Sequence, residues 1–103
     1  GETLLEGAER ELKEEIGYGA RELIILRTLS LAPTFMNQVA HVVLARGLYE
    51  ERLAGDEPEE IDVIPWKLDQ LHQLLNLEEF SEGRAMAALF LAREWLRLED
   101  AAR

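Results

Sequence analysis

Apolar residues recur at helical spacing near the start of the chain, where Leu4, Leu5, Ala8, Leu12 and Ile16 share one side and the opposite side is almost wholly charged. This period predicts a helix over residues 2–16, with Gly17 and Gly19 as its stop. The period then changes. Residues 23–31 and 39–48 have β-type apolar content, with Val42, Val43 and Leu44 in the second run, and they predict two strands joined around residues 32–37, where Pro33 interrupts the pattern. The acidic stretch 53–60 carries Gly55 and Pro58 and reads as a loop ahead of a short strand at residues 61–66. Two helices follow. Residues 68–77 place Leu68, Leu71, Leu74 and Leu75 on one side, and residues 82–98 carry Ala85, Ala88, Leu89, Ala92, Trp95 and Leu96 on another helical face, with Ser81 as the N-cap. Helix, two or three strands, loop, strand and two helices predict an α/β (α+β) class with a mixed sheet flanked by helices. No repeat, low-complexity tract or flexible linker divides the sequence, so a single domain is expected over residues 1–103.

Composition narrows the function classes. A chain of 103 residues that is 48% hydrophobic can bury one small core, with a thin stability margin. No apolar stretch approaches the roughly 20 residues that span a bilayer, and the opening residues lack the order of a secretory signal. A cytoplasmic protein with no membrane partner is the expectation. The absence of cysteine excludes disulfides, thiolate catalysis and cysteine-based zinc sites. Any metal must therefore be held by oxygen or by His41 and His72, and neither histidine has metal-like partners nearby in sequence. Oxygen ligands favour magnesium, manganese or calcium. A formal net charge of -10 argues against a nucleic-acid partner, because neutralising phosphates needs a basic face. The chain also opens on Gly1 and Glu2 rather than on methionine, and its first helical pattern has no strand before it. That abruptness leads us to expect a fragment or a processed chain.

Among the acids, Glu11, Glu14 and Glu15 lie three and four residues apart, which gathers them on one side of a helix. Like charges at that spacing cost an isolated helix roughly 0.2–0.5 kcal/mol per pair. They are either diluted by solvent, with Arg10 and Lys13 as ion-pair partners, or gathered round a cation. Magnesium suits the second case, since it takes carboxylate oxygens, keeps several waters and bridges to phosphate. Spacing alone leaves both open. Trp66 and Trp95 are assigned to the core, and no Asp-rich twelve-residue loop supports a calcium module.

The full string decides more. Glu2, seven residues, and then Arg10-Glu11-Leu12-Lys13-Glu14-Glu15-Ile16-Gly17-Tyr18 resembles the Nudix box, whose pattern is Gly, five residues, Glu, seven residues, Arg-Glu-aliphatic-any-Glu-Glu-any-Gly-aliphatic. Two features depart from it: Tyr18 is aromatic, and the opening Gly would lie five residues before Gly1. The resemblance implies the C-terminal part of a Nudix α/β/α sandwich with a mixed sheet, N-terminal strands missing, that begins inside the box at residues 2–18. It further implies that Glu11, Glu14 and Glu15 resemble metal ligands, with Glu14 also in the catalytic set, and that Arg10 orients them, with Glu2 as a partner. Pro33 falls sixteen residues beyond Gly17, and its local string Leu31-Ala32-Pro33-Thr34-Phe35 resembles a segment of bacterial ADP compounds hydrolases, in the ADP-ribose and ADP-sugar pyrophosphatase branch. The loop Asp56-Glu57-Pro58-Glu59-Glu60 resembles the one that brings further glutamates to the metals there. Glu57 is then the candidate general base and Glu59 a candidate ligand, with the two roles interchangeable.

The function implied is Mg2+-dependent hydrolysis, with Mn2+ as a possible substitute, of the diphosphate of ADP-linked metabolites such as ADP-ribose, diadenosine polyphosphates and NADH, releasing AMP. The partners implied are a nucleoside-diphosphate-linked small molecule and, in the full-length protein, a second copy as a homodimer. The alternative is a noncatalytic truncated fragment or an acidic metal-binding interaction module, since these 103 residues alone are expected to be inactive or nearly so.

Overall fold

Thr3 starts the first helix. Its hydroxyl accepts from the Glu6 amide at 3.1 Å while the Glu6 carboxylate accepts from the Thr3 amide at 3.0 Å, a reciprocal cap that satisfies two otherwise orphaned donors. In the computed structural model, which describes residues 1–30, 38–55 and 63–102, α1 then runs over Leu4–Glu11. Sequence periodicity predicts one helix to residue 16, but the α-helix ends at Glu11 and a π-helical turn, Leu12–Ile16, takes over. Its closing bond runs from the Gly17 amide to the Leu12 carbonyl at 3.0 Å. Gly17 ends the run in the left-handed region at φ 86°, a conformation that glycine adopts without a Cβ penalty.

The two long apolar runs form β1, Tyr18–Ser30, and β2, Val39–Glu50, paired as an antiparallel two-stranded sheet. Both are longer than the hydrophobic runs that predict them, because the ladder continues into polar residues at the strand ends. Arg46 faces Glu22 across the pair at 3.5 Å, and the Thr28 hydroxyl lies 2.8 Å from His41 Nδ1. At Gly19, a Cβ would collide with the Tyr49 ring, so glycine is what allows the strands to close there.

Residues 63–66, expected to form a strand, are irregular. Pro65 has no amide hydrogen to donate to a ladder. The joining segment with Pro33 and the acidic residues 56–60 lie outside the described residues. After a 3₁₀ turn, Leu68–Gln70, α2 covers only Leu71–Leu75, shorter than its leucine pattern suggests. Leu71 is the one buried large apolar residue among the described residues. Trp66, expected in the core, is 37% exposed and donates its indole N–H to the Gln70 carbonyl at 2.7 Å. The last helix, α3, runs over Gly83–Ala101 and is capped by Glu82 rather than Ser81. A carboxylate at that position both accepts an amide hydrogen and meets the positive end of the helix dipole.

The contacts divide the chain into two units. One contains the described residues of Gly1–Ile25 and Val43–Ile64, hence α1 and its π turn; the other contains those of Leu26–Val42 and Pro65–Arg103, hence α2 and α3.

Candidate active site

Arg10 organises the acids of the first helix. Its Nη2 donates to Glu2 Oε1 at 2.8 Å, its Nε lies 3.1 and 3.2 Å from the two Glu2 oxygens, and its Nη1 donates to Glu14 Oε2 at 3.0 Å. Of the three acids within reach in sequence, Glu6 is absent from this set because its carboxylate is committed to the Thr3 cap. A guanidinium can hold two carboxylates at once since its donors point in fixed directions. The hydrogen bonds from Arg10 hold the Glu2 carboxyl below its ordinary pKa, and the same contact raises the pKa of Arg10. Glu11 stands farther off at 3.9 Å and more open, its side chain 61% exposed against 20% for Glu14.

A second cation, Lys13, is the more enclosed of the two, its side chain only 15% exposed. It bridges Glu9 at 3.1 Å and Glu51 at 3.2 Å, and hydrogen bonds to those carboxylates, Glu9 first, raise its pKa. Glu51 belongs to the segment following β2, which returns to the helix end. The amides of Glu51 and Leu53 donate to the carbonyls of Gly17 at 3.1 Å and Lys13 at 3.3 Å, and Arg52 Nη1 donates to the Glu14 carbonyl at 2.9 Å. An open groove of about 300 Å³ is lined by Glu2, Glu6, Glu9, Arg10, Lys13 and Leu53.

Glu11, Glu14 and Glu15 thus occupy one helix end, with Glu14 and Glu15 both in the π turn. As hard oxygen donors they suit a divalent cation of the magnesium or manganese type. Among the described residues, no group of three or more His, Asp or Glu side chains is assembled closely enough to hold a metal ion. Glu14 is held from one side by Arg10 at 3.0 Å. The other expected members, Glu57 and Glu59, fall outside the described residues. His41 pairs with Thr28, consistent with a structural part.

Three features escape the sequence reading. The Thr3-x-x-Glu6 capping box is visible as a local pattern and could have been found. Lys13 stands at helical spacing from Glu9, but its second partner lies beyond β2. Arg52 gives no sequence signal, because its partner Glu14 is 38 residues away.

The family model described as NUDIX domain matches residues 1–90. ADP compounds hydrolase NudE of Escherichia coli is 46% identical over 94% of this chain, and ADP-ribose pyrophosphatase of Bacillus subtilis is 31% identical over 91%. The methanol dehydrogenase activator of Bacillus methanolicus is also 31% identical. A crystal structure of an ADP compounds hydrolase superimposes with a TM-score of 0.90 and 45% identity, over 96% of this chain and 54% of that one. The chain spans about half the length of the curated relatives it matches, 52%, 50% and 50% respectively.

Proposed function

We propose, from the premise that this chain belongs to the NUDIX domain family, that it serves the divalent-metal-dependent hydrolysis of ADP-linked diphosphates, with AMP as a product. The observation that carries this reading is the Glu2–Arg10–Glu14 network, in which one guanidinium fixes a carboxylate of the helix end at 3.0 Å while anchored to Glu2 at 2.8 Å. The names of the Escherichia coli and Bacillus subtilis relatives support the substrate class: ADP compounds in one, ADP-ribose in the other.

A bound Mg2+ or Mn2+ would be held by Glu11, Glu14, Glu15 and Glu59, and would supply neutralisation of phosphate oxygens and a more acidic water. The residues of the chain then have separate tasks. Arg10 keeps Glu14 from rotating away, so a ligand direction is set before substrate arrives. Glu57 takes the proton as water attacks a phosphorus of the diphosphate, with Glu59 the alternative base. Water adds across the broken P–O bond, so ADP-ribose would give AMP and ribose 5-phosphate. A homodimer and a cytoplasmic setting belong to the same proposal, and no helix among the described residues is long and apolar enough to cross a membrane.

The test is AMP release by the full-length protein from ADP-ribose, NADH and diadenosine polyphosphates, each with Mg2+, with Mn2+ and with chelator. Release that needs the metal supports the proposal. No release above the chelator control with any substrate overturns it.

A further inference from the structure

We infer that Arg52 is a positioning residue for the acidic helix end, holding the π turn in the form that aims Glu14 and Glu15; the role rests on the function proposed above. The end of a helix leaves its last carbonyls without intrahelical partners. Here successive carbonyls are satisfied by different parts of the chain: Leu12 by the Gly17 amide at 3.0 Å, Lys13 by the Leu53 amide at 3.3 Å, and Glu14 by Arg52 Nη1 at 2.9 Å. The third of these is the only one of the three made by a side chain. The Glu14 main chain is therefore held by Arg52 while its carboxylate is held by Arg10 at 3.0 Å.

The guanidinium does a second thing. It lies over Gly17, where a Cβ would fall 2.9 Å from Nη2, 3.0 Å from Nε and 3.1 Å from Cζ. Gly17 is glycine because of its φ of 86°, and the missing Cβ leaves room for the Arg52 guanidinium beside it. Arginine can do both at once because it is flat and carries donors on its edge. Lysine could reach the carbonyl but could not cover the glycine in the same way. Its positive charge also suits a helix C-terminus, where the dipole is negative. The following segment closes on the same residue, since a Cβ added at Gly55 would lie 3.0 Å from Glu14 Cβ.

A π turn is an uncommon, locally widened form of helix, found mostly as a single turn and frequently at functional sites. Without Arg52, the Glu14 carbonyl is freed to seek an intrahelical partner, and the turn can tighten toward α-helical spacing. That rotates Glu14 and Glu15 relative to Glu11. Arg52 accordingly acts on metal affinity and turnover through these carboxylates, without touching substrate.

The experiment measures Mn2+ binding by electron paramagnetic resonance on the full-length protein, with kcat and KM for ADP-ribose and the metal-free melting temperature, for wild type, Arg52→Ala, Arg52→Lys and Gly55→Ala. Arg52→Ala should weaken Mn2+ binding and lower kcat by about 10- to 100-fold, the usual cost of losing a residue that orients a ligand, with KM little changed. Arg52→Lys should recover part of both losses. Gly55→Ala leaves every charge in place but forces the segment off Glu14 by a few tenths of an ångström, and should lower both in the same direction by a smaller factor. Wild-type Mn2+ affinity and kcat in Arg52→Ala overturn the inference, whatever the melting temperature does. If Arg52→Ala does not fold, wild-type values in both Arg52→Lys and Gly55→Ala overturn it. A wild type that binds no Mn2+ overturns the proposed function and this role together, whereas a wild type that binds and cleaves while the variants match it overturns the role of Arg52 alone.

Discussion

The ion pairs of the first helix reach along the sequence from Arg10 to Glu2 and from Lys13 to Glu51, whereas those of Arg84 and Arg97 in α3 stay within a turn. Arg10 meets Glu2 eight residues away and Arg52 meets Glu14 across 38, and the Lys13 and Glu14 side chains are largely enclosed. In α3, Arg97 pairs with Glu94 three residues back, Arg84 with Glu82 two back, and Arg93 sits 5.6 Å from the Phe90 ring. Arg97 and Arg84 are largely open to solvent. Exposed local pairs of this kind contribute roughly 0–1 kcal/mol because water screens them and side-chain entropy opposes them. Charges fixed by distant partners hold one direction, which a reacting site requires. The exposed pairs of Arg84 and Arg97 cover a surface.

Glu15→Gln should separate the two helices most. Loss of a charged ligand should cut metal-dependent turnover by about 100-fold or more, beyond the usual cost of an orienting residue, while the metal-free melting temperature hardly changes. Unchanged turnover would place Glu15 outside the site. A large fall in metal-free melting temperature would make it structural.

A smaller but cleaner contrast sets Arg10→Ala against Arg97→Ala. The first should lower kcat by about 10- to 100-fold, since it frees both Glu2 and Glu14. The second should leave kcat and melting temperature close to wild type. Equal effects from the two arginines, read by steady-state kinetics and thermal melting, would erase the distinction between the helices.

From the α3 side, the contrast turns on capping. Glu82→Ala should lower the melting temperature by a few degrees without altering kcat, because the Glu82 carboxylate accepts from the Ala85 amide at 2.6 Å. Ser81→Ala should alter neither. A cap effect at Ser81 and none at Glu82 would show that α3 starts one residue earlier in solution.

The smallest effect is in acid. Glu2, Glu6 and Glu82 have carboxyls held below their ordinary value of 4.5, chiefly by Arg10, by the Thr3 amide and by Arg84 respectively. A lowered folded pKa contributes stability that is present above about pH 4.5 and lost as pH falls through the folded values. Melting temperature should therefore decline below that point. Glu2→Gln should flatten part of the decline, and a decline of unchanged steepness would show that the Arg10 contact contributes nothing to it.

Local pattern is enough for much of this fold. The apolar period places α1, β1, β2, α2 and α3 in the right order, the four-residue spacing anticipates the Arg10–Glu14 pair, and the resemblance to the Nudix box adds Glu2 as a partner of Arg10. The pattern misjudges α1, because hydrophobic period does not distinguish an α turn from a π turn. It misplaces Trp66 in the core and the α3 cap at Ser81, because exposure and cap choice depend on what the folded chain sets beside each residue. It also predicts a strand at 61–66 whose described part, 63–66, forms none, since apolar content alone does not supply a ladder partner.

Spacing along the chain fixes the residues that belong to one helix: the capping box at Thr3 and Glu6, the acids at Glu11, Glu14 and Glu15, and the arginine at helical reach of Glu14. Those follow from a constant rise and rotation per residue, which sequence separation encodes directly. Folding in three dimensions is what returns Glu51, Arg52 and Leu53 to the carbonyls of Gly17, Glu14 and Lys13 and holds a π turn open. A bond such as the one that spans 38 residues from Arg52 to Glu14 depends on where two strands deliver the chain, and no local spacing carries that distance.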